Sequence, residues 1–99
     1  MRRVLTAARA TVAPARRDAY LATLGELARH RASRSAHLWV FERDAESGTF
    51  LEFREGRADG PSPGAEEAEL EARLATLVTY APGHADQWLE VPLPTPSGG

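Results

Sequence analysis

Residues 37–42 read His-Leu-Trp-Val-Phe-Glu, and no other stretch restricts the fold as strongly. Rich in aromatic and β-branched side chains, it reads as the best strand in the chain. Successive side chains of a strand point to opposite faces. Leu38 and Val40 therefore lie on one face and Trp39 and Phe41 on the other, so both faces of the strand need cover.

The flanking sequence supplies the rest of a sheet. A polar loop over 44–48 ends in Gly48 and has hairpin length, and Thr49 to Arg54 forms the next strand. Val4 to Val12 is an alanine-rich first strand, and Gln87 to Leu93 is a last one. Two helices separate these elements. Pro14 suits a first helical turn, and from Ala15 to about Arg31 the residues Tyr20, Leu24, Leu27 and the stem of Arg31 recur at helical spacing. In the second helix Ser62 caps, Pro63 takes the first helical position, and Glu66, Glu67 and Glu69 lie near the positive end. Leu70, Leu74, Leu77 and Val78 form its buried stripe, and Ala81-Pro82-Gly83 stops it. Gly56 to Gly64 is a loop.

The order is βαββαβ. Right-handed crossovers then give an α+β, ferredoxin-like domain, a four-stranded antiparallel sheet with two helices on one face. One domain spans 1–94, and 95–99 is a flexible C-terminal tail. The 99 residues predict a radius of gyration of ~13 Å.

Alternation divides the sheet residues into two sets. Val4, Ala8, Ala10, Val12, Leu38, Val40, Leu51, Phe53, Leu89, Val91 and Leu93 are apolar and are assigned to the helix side. Leu5, Arg9, Thr11, His37, Trp39, Phe41, Phe50, Glu52, Arg54, Trp88 and Glu90 form the other face. A bare antiparallel face is normally polar, yet this one carries four large aromatics. At roughly 150–250 Å² each they exceed the patch a monomer ordinarily exposes. A two-fold related copy is the expected cover. Arg9 and Glu52, sharing that partly dry space, are expected to pair within one chain or across the interface.

In this pattern the chain resembles the antibiotic biosynthesis monooxygenase-like group of the dimeric α/β-barrel superfamily. The likeness rests on Ala10-Thr11-Val12-Ala13-Pro14 running into Tyr20, Leu21 and Leu24, with residues 37–42 and Gly48-Thr49-Phe50-Leu51-Glu52-Phe53. It covers roughly residues 4 to 93. The resemblance implies a homodimer whose sheets face each other as a barrel, with a small-molecule pocket between sheet and helices in each protomer. It also brings in cofactor-independent oxygenases of aromatic polyketides and haem-degrading enzymes. Those branches use an Asn with a Trp, and the haem branch a helical His. This sequence has no Asn, its second helix has no His, and alternation puts Trp39 on the dimer face. Neither catalytic set maps onto the chain.

The remaining candidates are weighed singly. His30, His37 and His84 have no partner at metal-ligand spacing, so no metal is expected. His37, beside Trp39, reads as a hydrogen-bonding interface residue. Glu52 and Glu90 form either a carboxylate pair or, by preference, salt bridges to Arg9 and Arg54. Trp39 and Trp88 read as interface anchors rather than a stacking platform. The 56–64 loop lacks dinucleotide or Walker spacing and is a connector, with a lid as the alternative. Tyr20 and Tyr80 either point hydroxyls into the pocket or are helix residues with wet tips.

Composition removes other classes. The net charge is -2 and Cys is absent, which excludes a global basic field, disulfides and thiolate chemistry. An RNA-recognition domain shares the topology but stacks bases on the open sheet, where Glu52 would repel phosphate. Nucleic acid is not an expected partner. No apolar run approaches the ~20 residues of a membrane span, and no signal-peptide core follows Met1, so a cytoplasmic protein is expected. The sequence therefore predicts a homodimer without a cofactor that binds a small aromatic or apolar molecule or acts as a monooxygenase-like enzyme. The competing reading is a non-catalytic dimeric structural or interaction module.

Overall fold

The computed structural model describes residues 2–96. β1 (Arg3–Thr11) leads through a 3-10 turn, Pro14–Arg16, into α1 (Arg17–Ala32). The hairpin of β2 (His37–Glu42) and β3 (Thr49–Arg57) follows, then α2 (Ala65–Ala75) and two short strands, β4 (Thr79–Tyr80) and β5 (Gln87–Leu89). The sheet order is β2-β3-β1, with β4 and β5 both on the free side of β1 and every pairing antiparallel. This is the ferredoxin-like α+β arrangement.

The core lies between sheet and helices. Ala10 and Val12 of the first strand segment and Phe50 of β3 meet Tyr20, Leu24 and Leu27 of α1 and Leu70 and Leu74 of α2. Fully enclosing a leucine such as Leu27 or Leu74 contributes about 1.5–3 kcal/mol. The small Ala8 and Ala10, almost wholly buried, leave room for larger partners opposite them. The molecule is thin, 55 × 35 × 22 Å, and its 15.4 Å radius of gyration exceeds the ~13 Å of a compact chain this long.

The β2–β3 hairpin depends on one glycine. Gly48 has φ +90, and a Cβ there would stand 2.9 Å from the Val12 carbonyl oxygen. That approach lets Val12 N–H donate to the Gly48 carbonyl at 2.8 Å, tying the hairpin to the end of β1.

Several boundaries differ from expectation. Ser62 and Pro63 do not start α2; Gly64 is its N-cap and no side chain caps it. The helix also ends at Ala75 instead of running to Ala81. The Thr76 and Leu77 N–H groups turn back to Arg73 and Leu74, and Thr79 and Tyr80 pair with Thr11 and Ala10. Strand pairing thus captures the β-branched and aromatic stretch that continued the helical stripe. Tyr80 is consequently a strand residue. The fourth sheet position is divided, because Pro82 and Gly83 turn the chain outward between β4 and β5. Pro92, lacking an N–H, ends the last strand short of Leu93. Val91 and Leu93 are therefore 69% and 85% exposed, not under the helices. Of the expected tail, residues 97–99 lie outside the described residues.

The hairpin tip is also tied to α1. Arg17 holds Glu42 with both guanidinium ends, one at 2.8 Å, and lies over the Phe50 ring. The Arg17 hydrogen bond draws the Glu42 carboxyl down from 4.5 to about 2. A depressed folded-state value makes this tie complete above pH 4.5 and lost as pH falls through about 2. The melting temperature is expected to fall over that window. Arg17→Met should flatten the fall, and an unchanged profile in the variant would remove Glu42 as a cause.

Candidate functional site

β3 faces the opposite way from the sequence assignment. Phe50 pairs in register with Ala10, and Glu52 with Ala8 and Val40, so all share the helix side. Phe50 is 3% exposed and Glu52 is fully buried. Both were expected on the dimer face, as was Arg54. Leu51 and Phe53, assigned to the core, instead face outward beside Phe41 and Trp39. The expected Arg9–Glu52 pair cannot form, because the sheet separates the two side chains. Alternation sorts a strand into two sets without saying which points inward, and here the inner set contains charges because partners await them.

Those partners come from three elements. Tyr20 of α1 donates its hydroxyl to Glu52 at 2.5 Å, and Tyr80 of β4 donates at 2.9 Å. Tyr20 holds Oε2 and Tyr80 holds Oε1, and Arg54, two residues along β3, donates to that same Oε1 at 2.8 Å. Burial first, and the nearby Glu52 carboxylate with it, push both phenols well above the ordinary tyrosine value. They therefore stay protonated and act as donors. Both side-chain oxygens of Glu52 are occupied by these three groups.

Arg54 continues outward, gripping Glu71 of α2 through Nε at 3.1 Å and Nη2 at 2.9 Å. Two more arginines stand near. Arg31, 8% exposed, donates to the carbonyls of His37 and Glu55, and burial together with Arg34 lowers its pKa. Arg34 grips Glu67 at 2.6 and 2.9 Å and holds that carboxyl below its ordinary value. Arg31, Arg54 and Arg57 line a cleft of about 310 Å³ on the helix side, completed by Val4, Thr6, Gly56, Ala58, Gln87 and Leu89. Arg54 thus stands between this cleft and the buried Glu52, Tyr20 and Tyr80.

The opposite, open face is arranged in rows across the strands. Trp39, Phe53 and Ala7 form the middle row. Phe41, Leu51 and Arg9 lie to one side, and His37, Glu55, Leu5 and Trp88 to the other. His37 and Trp39 stack at 5.5 Å, and Phe41 meets Phe53 edge-on at 5.8 Å. Trp39, Phe41 and Trp88 remain 45%, 58% and 61% exposed. Arg3 bridges Glu55 at 3.1 Å and Glu90 at 2.7 Å, while His37 Nδ1 reaches Glu55 at 2.7 Å. Among the described residues no carboxylate meets Arg9 or Arg43. His84 stacks on Tyr80 at 4.8 Å, and His30 lies 3.5 Å from Glu66.

Sequence reasoning passed over Arg34, Glu67 and Glu71. One signal was present: Glu67, Leu70 and Leu74, all buried, stand at i, i+3 and i+7, so a glutamate heads the apolar stripe.

No family model matches the sequence, and no curated protein does. Solved structures do match. A variant of SnoaB, a cofactor-independent oxygenase from Streptomyces nogalater, superposes with a TM-score of 0.65 at 12% identity, covering 94% of this chain and 95% of that one. A Chloroflexus aurantiacus protein provisionally named as an antibiotic biosynthesis monooxygenase gives 0.61 at 16% identity over the full length of both chains. The chain is thus an α+β protein of ferredoxin-like build. More narrowly, its fold is the one shared by these two structures.

Proposed function

We propose that this chain is a homodimeric small-molecule-binding protein, monooxygenase-like in build, whose ligand enters the helix-side cleft in front of Arg54. The observation that carries this reading is the position of Arg54, between a cleft open to solvent and a buried carboxylate with two phenols. Arginines over walls of Val4, Thr6 and Leu89 suit a planar aromatic molecule bearing a carboxylate or phenolate. The likeness to a cofactor-independent oxygenase supports oxygenase chemistry. A specific observation favours a second reading, a non-catalytic dimeric module: Glu52, Tyr20 and Tyr80 satisfy one another and leave no free base.

Titration calorimetry with 1-hydroxy-2-naphthoate as probe tests the site. Saturable binding is expected, and Thr6→Phe, which fills the cleft from its floor, should abolish it. Oxygen uptake by the bound complex in an electrode cell would favour the enzyme, and binding without uptake a carrier. If the probe binds wild type and Thr6→Phe alike, or neither, the cleft is not the site and the module reading takes over.

A further inference from the structure

Arg31 carries a charge that the fold leaves incompletely matched. It is 8% exposed and reaches from α1 to the sheet, where Nε and Nη2 donate to the carbonyls of His37 and Glu55 at 3.3 and 3.0 Å. Those bonds use two of the five N–H groups of a guanidinium, and both acceptors are neutral. The nearest carboxylate among the described residues, Glu67, stands 3.9 Å from Nη1, outside hydrogen-bond reach, and is itself gripped by Arg34. Arg54 is in the opposite condition, with Nε and Nη2 on Glu71 and Nη1 on Glu52. Of these two arginines, Arg31 is the one with donors left for an anion, and a nearly buried cation gains strongly from one.

Gly56 stands next to it. The carbonyl that Nη2 meets belongs to the peptide joining Glu55 to Gly56, and Arg31 and Gly56 both line the helix-side cleft. Gly56 lies inside β3, where a glycine weakens the strand and often marks a close approach by a ligand or another backbone. Its own backbone does not call for glycine, because among the described residues the glycines with positive φ are Gly48 and Gly83. A Cβ at Gly56 would meet nothing within 4 Å, so no approach within the chain explains it either. The missing side chain leaves open space over the strand beside Arg31. There the cleft meets a second one, of about 480 Å³, with which it shares Gly56 and Arg57.

We propose that Gly56 and Arg31 form the anion subsite of the cleft: the carboxylate of an aromatic acid lies over Gly56 and takes the remaining N–H groups of Arg31, its ring resting on Val4, Thr6 and Leu89. The proposal rests on the small-molecule reading above and adds which arginine reads the ligand's charge.

Replacing Arg31 would also break its ties to β2 and β3, whereas Gly56→Val leaves them in place. Valine favours strands and its Cβ meets no atom here, so this variant should melt at or above the wild-type temperature. In titration calorimetry it should bind 1-hydroxy-2-naphthoate at least about tenfold more weakly than wild type. The affinity for 1-naphthol, the same ring system without the carboxylate, should be unchanged. Glu67→Gln, which removes the carboxylate charge nearest Arg31, should strengthen naphthoate binding about threefold, and Glu71→Gln, which releases Arg54 instead, should not. Naphthoate binding that is unchanged in Gly56→Val, an equal loss of both compounds, or a gain with Glu71→Gln in place of Glu67→Gln would overturn the subsite and leave the cleft standing. A wild type that binds neither compound would overturn both.

Discussion

Trp39→Glu should convert the protein from twice 10.8 kDa to the monomer in light scattering coupled to gel filtration. Trp39 sits in the middle row of the open face, 45% exposed and stacked on His37. A carboxylate there would have to be desolvated against a second apolar face without a matching charge, at a cost of several kcal/mol. The loss should appear at every concentration accessible to the instrument. Since Trp39 is outside the core, the variant should keep the wild-type circular dichroism spectrum and melt cooperatively. A variant that stays dimeric would place the interface elsewhere. A wild type that is already monomeric would mean the aromatics of this face meet some other partner.

The second large effect is expected in the core. Glu52→Ala strands Arg54 with one carboxylate fewer and leaves the Tyr20 and Tyr80 hydroxyls without their acceptor, all beneath the helices. Breaking one partner out of a buried charged set typically costs about 3–5 kcal/mol. That is a large part of the ~5–15 kcal/mol available to a domain, so urea unfolding should show a lowered midpoint or loss of the folded state. Glu52→Gln keeps an acceptor oxygen but not the charge and should fall between the two. Tyr20→Phe, which removes one hydroxyl from a buried carboxylate, should cost about 1.5–3 kcal/mol. If Glu52→Ala were as stable as wild type, water would have to enter and replace the lost partner, and the cluster would not be a structural unit.

Much of this arrangement could be read from the sequence, and its failures share one origin. β2 was legible because both of its faces are built from residues that favour strands, and the partition of its side chains follows from chain geometry alone. β3 was divided correctly into Phe50, Glu52 and Arg54 against Leu51 and Phe53, and then turned the wrong way. A preference for burying apolar residues points Leu51 and Phe53 inward. The outcome was decided by Tyr20, Tyr80 and Glu71, which are 17 to 32 residues from their partners in the chain and supply the donors and acceptor that the inner set needs. The same long-range pairing ended α2 early and drew Thr79 and Tyr80 to β1. The arginine ties Arg34–Glu67 and Arg54–Glu71 were hidden because a charged residue on a helix normally reads as solvated. The head of the α2 stripe, Glu67, was the one visible exception.

The divided fourth strand has a bearing on how the protein behaves when concentrated. β4 and β5 are two and three residues long, separated by Pro82, and Pro92 and Pro94 follow. A passing extended chain therefore finds no continuous ladder of N–H and C=O groups on that side of the sheet. Fibrillar growth through successive sheets requires each molecule to accept a neighbour on both margins, and here only the margin formed by β2 offers a full-length strand. Addition by backbone pairing can occur once and then has nowhere to continue, which favours discrete assemblies over filaments even though the surface is rich in aromatic side chains.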